Sequence, residues 1–145
     1  MKKITFWIEA MRLRTLPVSL AGIIAACALA LISRCFSLTA AILCLLFATL
    51  AQIASNFANE YYDFKAGLDA PGRDGPRRGV TEGDITPRAM KAATYGVLAA
   101  ACAVGLAIAA TAGWWLVGAG IIIALGVIAY SAGPFPLSRH GLGEI

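Results

Sequence analysis

The sequence predicts an all-α membrane protein, a polytopic transmembrane helix bundle with about four spans. Its 145 residues are 59% apolar and only 14% charged, whereas an ordinary soluble domain is about 45–50% apolar and about 25% charged. The charges are also unevenly placed, because no Asp, Glu, Lys or Arg lies within 15–33, 35–59 or 92–138. A soluble fold of this size could not hide so much apolar surface, whereas a bundle in a bilayer has no need to hide it.

The uncharged stretches predict where the spans lie. A helix needs about 20 predominantly apolar residues to cross the hydrocarbon core. The first two stretches can each hold one span, and the third can hold two with a break between Thr111 and Trp115. We therefore expect a single transmembrane domain over 1–145. Its first element is expected to be a short amphipathic helix over 4–13. Its spans are expected near 16–33, 38–58, 92–111 and 115–132.

The basic residues predict the orientation of the bundle. They cluster before the first span, in the loop over 60–91 and after the last span, while Arg34 alone lies on the other side. Basic loops stay in the cytoplasm, so both ends and the 60–91 loop are expected there. The net charge of +4 is thus a topology signal and does not indicate a nucleic-acid partner. At the end of this loop, Thr86 and Pro87 predict the N-cap and first residue of the next helix.

A polar stripe on the second span is the feature that could carry chemistry. Successive polar residues there are spaced three or four apart, so they share one helical face if the helix continues past the span. Such side chains cannot face lipid cheaply and should face the bundle interior or a water-filled cavity. The residues of this polar stripe are Gln52, Asn56, Asn59 and Asp63.

Asp69 extends the stripe into a candidate metal site. Because Gly67 allows the chain to turn, Asp69 can come back toward Asp63, and two carboxylates with the Asn59 amide oxygen form a hard-oxygen site that suits Mg²⁺. Nearby cations could bind the phosphate oxygens of a diphosphate held at the water edge. These cations are Lys65, Arg73, Arg77 and Arg78. The alternatives are that the loop is a solvated connection and that Asn56 only joins two helices.

The run over 52–69 resembles the first aspartate-rich motif of the UbiA superfamily of intramembrane aromatic prenyltransferases. It is most similar to the members that act on 1,4-dihydroxy-2-naphthoate in menaquinone synthesis. The matching motifs are Asn59-Glu60-Tyr61-Tyr62-Asp63 with Asp69, then Arg73-Asp74-Gly75-Pro76-Arg77-Arg78-Gly79, the early Arg14-Thr15-Leu16-Pro17, and the late segments 130–136 and 141–144. Position 60 is Glu where that family usually has Asp.

The resemblance implies Mg²⁺-dependent transfer of a polyprenyl group from its diphosphate to 1,4-dihydroxy-2-naphthoate, giving demethylmenaquinone, in the cell inner (cytoplasmic) membrane. Asn59, Asp63 and Asp69 would bind the metal and serve catalysis, and the four cations would bind the diphosphate. The aromatic acceptor and the cavity would be contacted by Arg14, Asn56, Tyr61, Tyr62 and Tyr130. Alternatively, Arg14 sets topology and the tyrosines form an interfacial belt.

By the same resemblance, these 145 residues correspond to the first half of a roughly nine-span fold, and we expect them to be a truncated fragment. Two other functions stay open. The first is prenyl transfer to another aromatic acceptor, such as 4-hydroxybenzoate or homogentisate. The second is a non-catalytic half-enzyme or membrane helix module.

Overall fold

The structure, a computed structural model, describes residues 2–69 and 77–131. In this described part the chain is mostly helical, with short turns and loops between helices, and it holds no strand. The elements are α1 (Lys2–Met11), a 3₁₀ turn (Leu13–Thr15), α2 (Leu16–Ile32), α3 (Leu38–Lys65), α4 (Pro87–Ala112) and α5 (Leu116–Ser131). Three helical segments are long and apolar enough to cross a membrane, and a shorter apolar helix follows them. The predicted class, an all-α polytopic membrane bundle, is confirmed.

Local sequence signals set the helix boundaries. Ser37 caps the start of α3, and its hydroxyl accepts a hydrogen bond from the backbone N–H three residues later. Thr86 caps α4 in the same way, with Pro87 as the first helical residue, as the sequence predicts. α4 ends before Gly113, whose φ of +130° lies in a region that favours glycine.

A strained corner joins α1 to the first long helix. Arg12 has φ 49° and ψ 58°, the left-handed conformation that costs energy for a residue with a Cβ. α1 is held beyond this corner by packing, because the Trp7 ring meets the Phe57 ring of α3 edge to face at 5.6 Å between centroids. Contacts made by the rest of the fold therefore hold the corner in place.

α3 is the central helix, since it packs against α1, α2, α4 and α5. Gly105 of α4 faces Phe47 of α3 so closely that an added methyl group would lie 3.2 Å from the ring. Small residues allow such close approach of membrane helices. At the other end of the same pair of helices, Tyr62 contacts Tyr95, so α3 and α4 run antiparallel. The start of α4 therefore lies beside the end of α3.

Residues 77–86 form a compact cap over this end of the bundle. The Ile85 N–H donates to the Gly79 carbonyl at 2.9 Å, and the Glu82 N–H donates to the Arg78 carbonyl at 3.0 Å. These turns bury apolar side chains of the cap against α1, α3 and α4. The buried cluster consists of Ala10, Phe57, Val80, Ile85 and Met90. The cap is thus a folded part of the bundle, with its own apolar core.

The cap's packing can be tested at Met90, which has 0% exposure at the centre of this cluster. Met90→Ala should lower the free energy of unfolding by about 2–5 kcal/mol, because it leaves a cavity. Leu29→Ala on α2 is the control, since Leu29 is 65% exposed and loses little packing. Thermal unfolding in detergent micelles, followed by circular dichroism, measures both. Equal destabilisation by the two variants would contradict the packing of the cap.

Candidate functional site

The polar stripe predicted from the sequence does share one helical face, because α3 continues as a helix to Lys65. The Gln52 side-chain amide donates to Asn56 Oδ1 at 3.4 Å, four residues along the helix. The stripe divides into two parts with different partners. One part contacts the junction between α1 and α2, and the other lies beneath the cap.

The first part of the stripe fixes the α1–α2 junction. Asn56 is buried, and its amide nitrogen donates to the Met11 carbonyl at 2.8 Å and to Thr15 Oγ1 at 3.1 Å. Gln52 also donates to Thr15 Oγ1 at 3.3 Å and accepts a hydrogen bond from Ser19. Asn56 therefore makes the helix-joining contact that the sequence left as an alternative to a cavity role.

The second part of the stripe surrounds one buried guanidinium, that of Arg78 from the cap. Its Nη2 donates to Asn59 Oδ1 at 2.9 Å and lies 3.4 Å from Asp63 Oδ2, and its Nε lies 3.3 Å from Asp69 Oδ2. Asp69 reaches this position because the chain turns at Gly67, which has φ +68°. We call Asn59, Asp63 and Asp69 the acidic cluster, and the Arg78 guanidinium lies at its centre.

The acidic cluster is enclosed. Arg78 is 5% exposed, and the Asp69 side chain is 1% exposed. A charge in such surroundings must be matched by opposite charge, and a buried ion pair that loses one partner is strongly destabilising. Arg78 Nη1 has no hydrogen-bond partner among the described residues. The guanidinium therefore keeps a buried donor that an additional acceptor could use.

Glu60 ties the cap to α3. It is fully buried, and its Oε1 accepts a hydrogen bond from the Val80 N–H at 3.0 Å. The packing is tight here, because a Cβ added to Gly79 would lie 3.0 Å from Ile85 Cδ1 within the cap and 3.5 Å from Glu60 Oε1 of α3. Glu60 thus holds the backbone immediately after Arg78, a role that the sequence did not indicate.

The other predicted phosphate-binding cations have different surroundings. Arg77 pairs with Asp84, lies 3.9 Å from a carboxylate oxygen of Glu9 and stacks over the Phe6 ring at 4.9 Å. Lys65 is an exposed residue at the end of α3. Other predicted features lie outside the described residues, namely Arg73 and the late motif beyond Tyr130.

An arginine that the sequence assigned only to topology reaches the cluster. Arg12 Nη2 donates to Asn59 Oδ1 at 3.5 Å, so Arg12 and Arg78 approach the same amide oxygen. Arg14, predicted to contact the acceptor, is exposed in the 3₁₀ turn. The left-handed conformation of Arg12 at the corner between α1 and α2 allows this contact. Helical periodicity in the sequence does not predict such a conformation, so Arg12 was not singled out.

The predicted tyrosines are not gathered in one place. Tyr61 packs against the apolar cluster of the cap and meets the Tyr62 ring edge to face at 4.9 Å. The Tyr62 and Tyr95 hydroxyls lie 2.7 Å apart, which joins α3 to α4. Tyr130 is half-buried near the end of α5. Tyr95 therefore belongs with this group, although the sequence did not single it out.

The donors of the acidic cluster fit a hard divalent cation. Asn59, Asp63 and Asp69 direct an amide oxygen and two carboxylates at one positive group. Mg²⁺ commonly takes one or two carboxylates and completes its coordination with water and substrate phosphates. In the described ranges no group of three or more His, Cys, Asp or Glu residues could hold a metal. Two carboxylates and one amide oxygen leave further coordination positions of such a cation to water and phosphate oxygens.

The role of Asn56 can be tested by truncating its side chain. Asn56→Ala should leave the Met11 carbonyl without its donor, a loss of about 1–3 kcal/mol. Opening of the α1–α2 junction should then make trypsin cleavage after Arg12 or Arg14 about tenfold faster. Limited proteolysis in detergent measures this rate. Ser55→Ala, on a different face of α3, is the control, and equal cleavage of both variants would contradict the assignment.

Comparison with known proteins connects this geometry to a family. The model of the UbiA prenyltransferase family matches residues 16–145. The chain is similar to proteins named 1,4-dihydroxy-2-naphthoate octaprenyltransferase. It is 40% identical to that of Escherichia coli (96% of this chain, 47% of the relative). It is 33% identical to that of Haemophilus influenzae (99% and 49%) and 33% identical to that of Mycobacterium tuberculosis (96% and 47%). The chain thus spans about half the length of these curated relatives. No solved structure matches it.

Proposed function

Because the chain belongs to the UbiA prenyltransferase family, we propose that it supplies the diphosphate-binding part of a site that transfers a polyprenyl group to 1,4-dihydroxy-2-naphthoate. The observation that carries this proposal is the acidic cluster, where oxygen donors and a buried guanidinium meet at the end of an apolar helix. A diphosphate attached to a lipid chain needs this combination, because its head is anionic and its tail stays in the membrane.

The names of the relatives support naphthoate as the acceptor. In our proposal the ring takes the prenyl group, the diphosphate leaves, and the carboxyl group is lost as CO₂, which gives the 1,4-dihydroxy (quinol) form of a demethylmenaquinone. Arg14, Tyr61, Tyr62 and Tyr130 remain proposed contacts of the acceptor or its cavity. Assays that compare 1,4-dihydroxy-2-naphthoate with 4-hydroxybenzoate and homogentisate would identify the acceptor directly.

Each group of the cluster has a proposed task. Asn59, Asp63 and Asp69 would hold Mg²⁺. A bound Mg²⁺ would act as a Lewis acid and neutralise charge on the diphosphate. Arg12 and Arg78 would donate to phosphate oxygens, and such preorganised charge favours departure of the diphosphate. Lys65, Arg73 and Arg77 remain proposed as further phosphate contacts. The apolar helices around the site would keep water from the allylic cation.

The location follows from the helices and their charges. The chain is a multi-pass membrane protein. We propose the cell inner (cytoplasmic) membrane, with both ends and the 60–91 loop on the cytoplasmic side, because this loop carries six of the seven basic residues that lie between the spans. Spans near 16–33, 38–58, 92–111 and 115–132 are part of this proposal. The site would then lie at the cytoplasmic edge of the membrane.

A non-catalytic membrane module is the alternative to an enzyme. Incubating the purified chain in nanodiscs with a polyprenyl diphosphate and the naphthoate, with and without Mg²⁺, separates the two. Mg²⁺-dependent product formation supports the enzyme, whereas diphosphate binding without turnover supports a half-site.

Asp63 provides the sharpest test of the proposed site. Asp63→Asn keeps the size of the side chain and removes its charge, so Mg²⁺-dependent transfer and binding of a polyprenyl diphosphate should fall by about a hundredfold or more. Product formation by chromatography and binding of radiolabelled substrate measure the two effects. Glu82→Gln on the exposed side of the cap is the control. Wild-type binding and turnover by Asp63→Asn would refute the role of Asp63.

Arg12 gives an independent test. Arg12→Gln removes a charge that lies 3.5 Å from Asn59 Oδ1, so we expect KM for the polyprenyl diphosphate to rise about tenfold, the usual cost of a charged hydrogen bond. KM for the aromatic acceptor should stay unchanged. Arg88→Gln, at an exposed position on α4, is the matched control. A larger effect on the acceptor than on the diphosphate would contradict the assignment.

A further inference from the structure

The guanidinium of Arg78 lies where the proposed site would place a divalent cation. It contacts an oxygen of each proposed metal ligand, at 2.9 Å from Asn59, 3.4 Å from Asp63 and 3.3 Å from Asp69. Mg²⁺ would need the same oxygens at about 2.0–2.1 Å. A guanidinium and a divalent cation repel each other, and burial strengthens the repulsion. The three ligands therefore cannot serve Arg78 and a metal in these positions together.

If a metal displaced Arg78 from the acidic cluster, the charge of Arg78 would need new partners. Its two carboxylate partners would turn to the metal, and the guanidinium, 5% exposed, would lose the charges that compensate it. A diphosphate supplies new compensation, because its oxygens bind arginine strongly. Arg78 Nη1, which has no hydrogen-bond partner in the described part of the chain, is already available as a donor.

The backbone around Arg78 allows the side chain to move alone. Glu60 binds the Val80 N–H, and the Arg78 carbonyl accepts a hydrogen bond from the Glu82 N–H. These hydrogen bonds and the apolar cluster of the cap fix the backbone of Arg78 and of the residues that follow it. Exchange at the acidic cluster thus needs new rotamers of one long side chain and no unfolding of the cap.

We infer that Arg78 is a resident cation that holds the acidic cluster until a diphosphate arrives, so that the divalent metal and the diphosphate bind as a coupled pair. This inference rests on the proposed function. In the metal-free site Arg78 keeps two carboxylates together that would otherwise repel each other. When the diphosphate binds, Arg78 transfers its hydrogen bonds to phosphate oxygens and leaves the carboxylates to the metal.

The test measures metal binding without any substrate. The full chain in detergent is titrated with Mn²⁺, which reports binding through its electron paramagnetic resonance signal. Arg78→Gln should bind Mn²⁺ about tenfold more tightly than the wild type, a typical size for coupling between two ligands. The double variant Arg78→Gln with Asp63→Asn should lose that gain, and the exposed control Arg88→Gln should match the wild type.

Equal or weaker Mn²⁺ binding by Arg78→Gln would overturn the inference and leave the proposed transfer reaction untouched. Absence of Asp63-dependent Mn²⁺ binding in every variant would overturn the metal site of the proposed function as well. If Arg78→Gln does not fold, the wild type supplies the second measurement. Its Mn²⁺ affinity should rise about tenfold with pyrophosphate present, after correction for the complex in solution, and an unchanged affinity would overturn the inference.

Discussion

Polar side chains on an apolar helix need polar partners, and the arrangement of this protein follows from how α3 meets that requirement. Lipid tails offer no hydrogen bonds, so each amide and carboxylate on the helix must find a group inside the protein. Asn56 finds the carbonyl of Met11, and Asp63 finds the guanidinium of Arg78. The corner between α1 and α2 and the position of the cap both depend on these contacts.

The cap is the part of the fold that encloses the end of the polar stripe and makes it a candidate binding site. Its apolar side chains pack against α1, α3 and α4, and that packing carries Arg78 over the end of α3. Glu60 fixes the same segment by a backbone hydrogen bond. The energy that keeps a buried cation near two carboxylates therefore comes from the apolar core of the cap as well as from the ion pairs.

Much of this arrangement could be predicted from residue patterns, since it depends on local rules. The uncharged stretches predicted the all-helical membrane class, and Thr86 with Pro87 predicted the start of α4. Helical spacing placed Asn56, Asn59 and Asp63 on one face. The resemblance of the 52–69 run and its neighbouring motifs to a known family indicated the UbiA family, and the comparisons confirm it. The roles of individual site residues remain predictions.

By itself, the sequence determined the class of the fold, the polar face of α3 and the hard-oxygen chemistry of its acidic residues, because hydropathy and helical periodicity are local properties. Only the tertiary structure decided which cations contact the polar face of α3. Arg78 meets the acidic cluster, Arg77 pairs with Asp84, and Arg12 reaches Asn59 from a left-handed corner. These choices depend on how the cap and α1 pack, and side-chain packing between distant segments has no periodic signal along the chain.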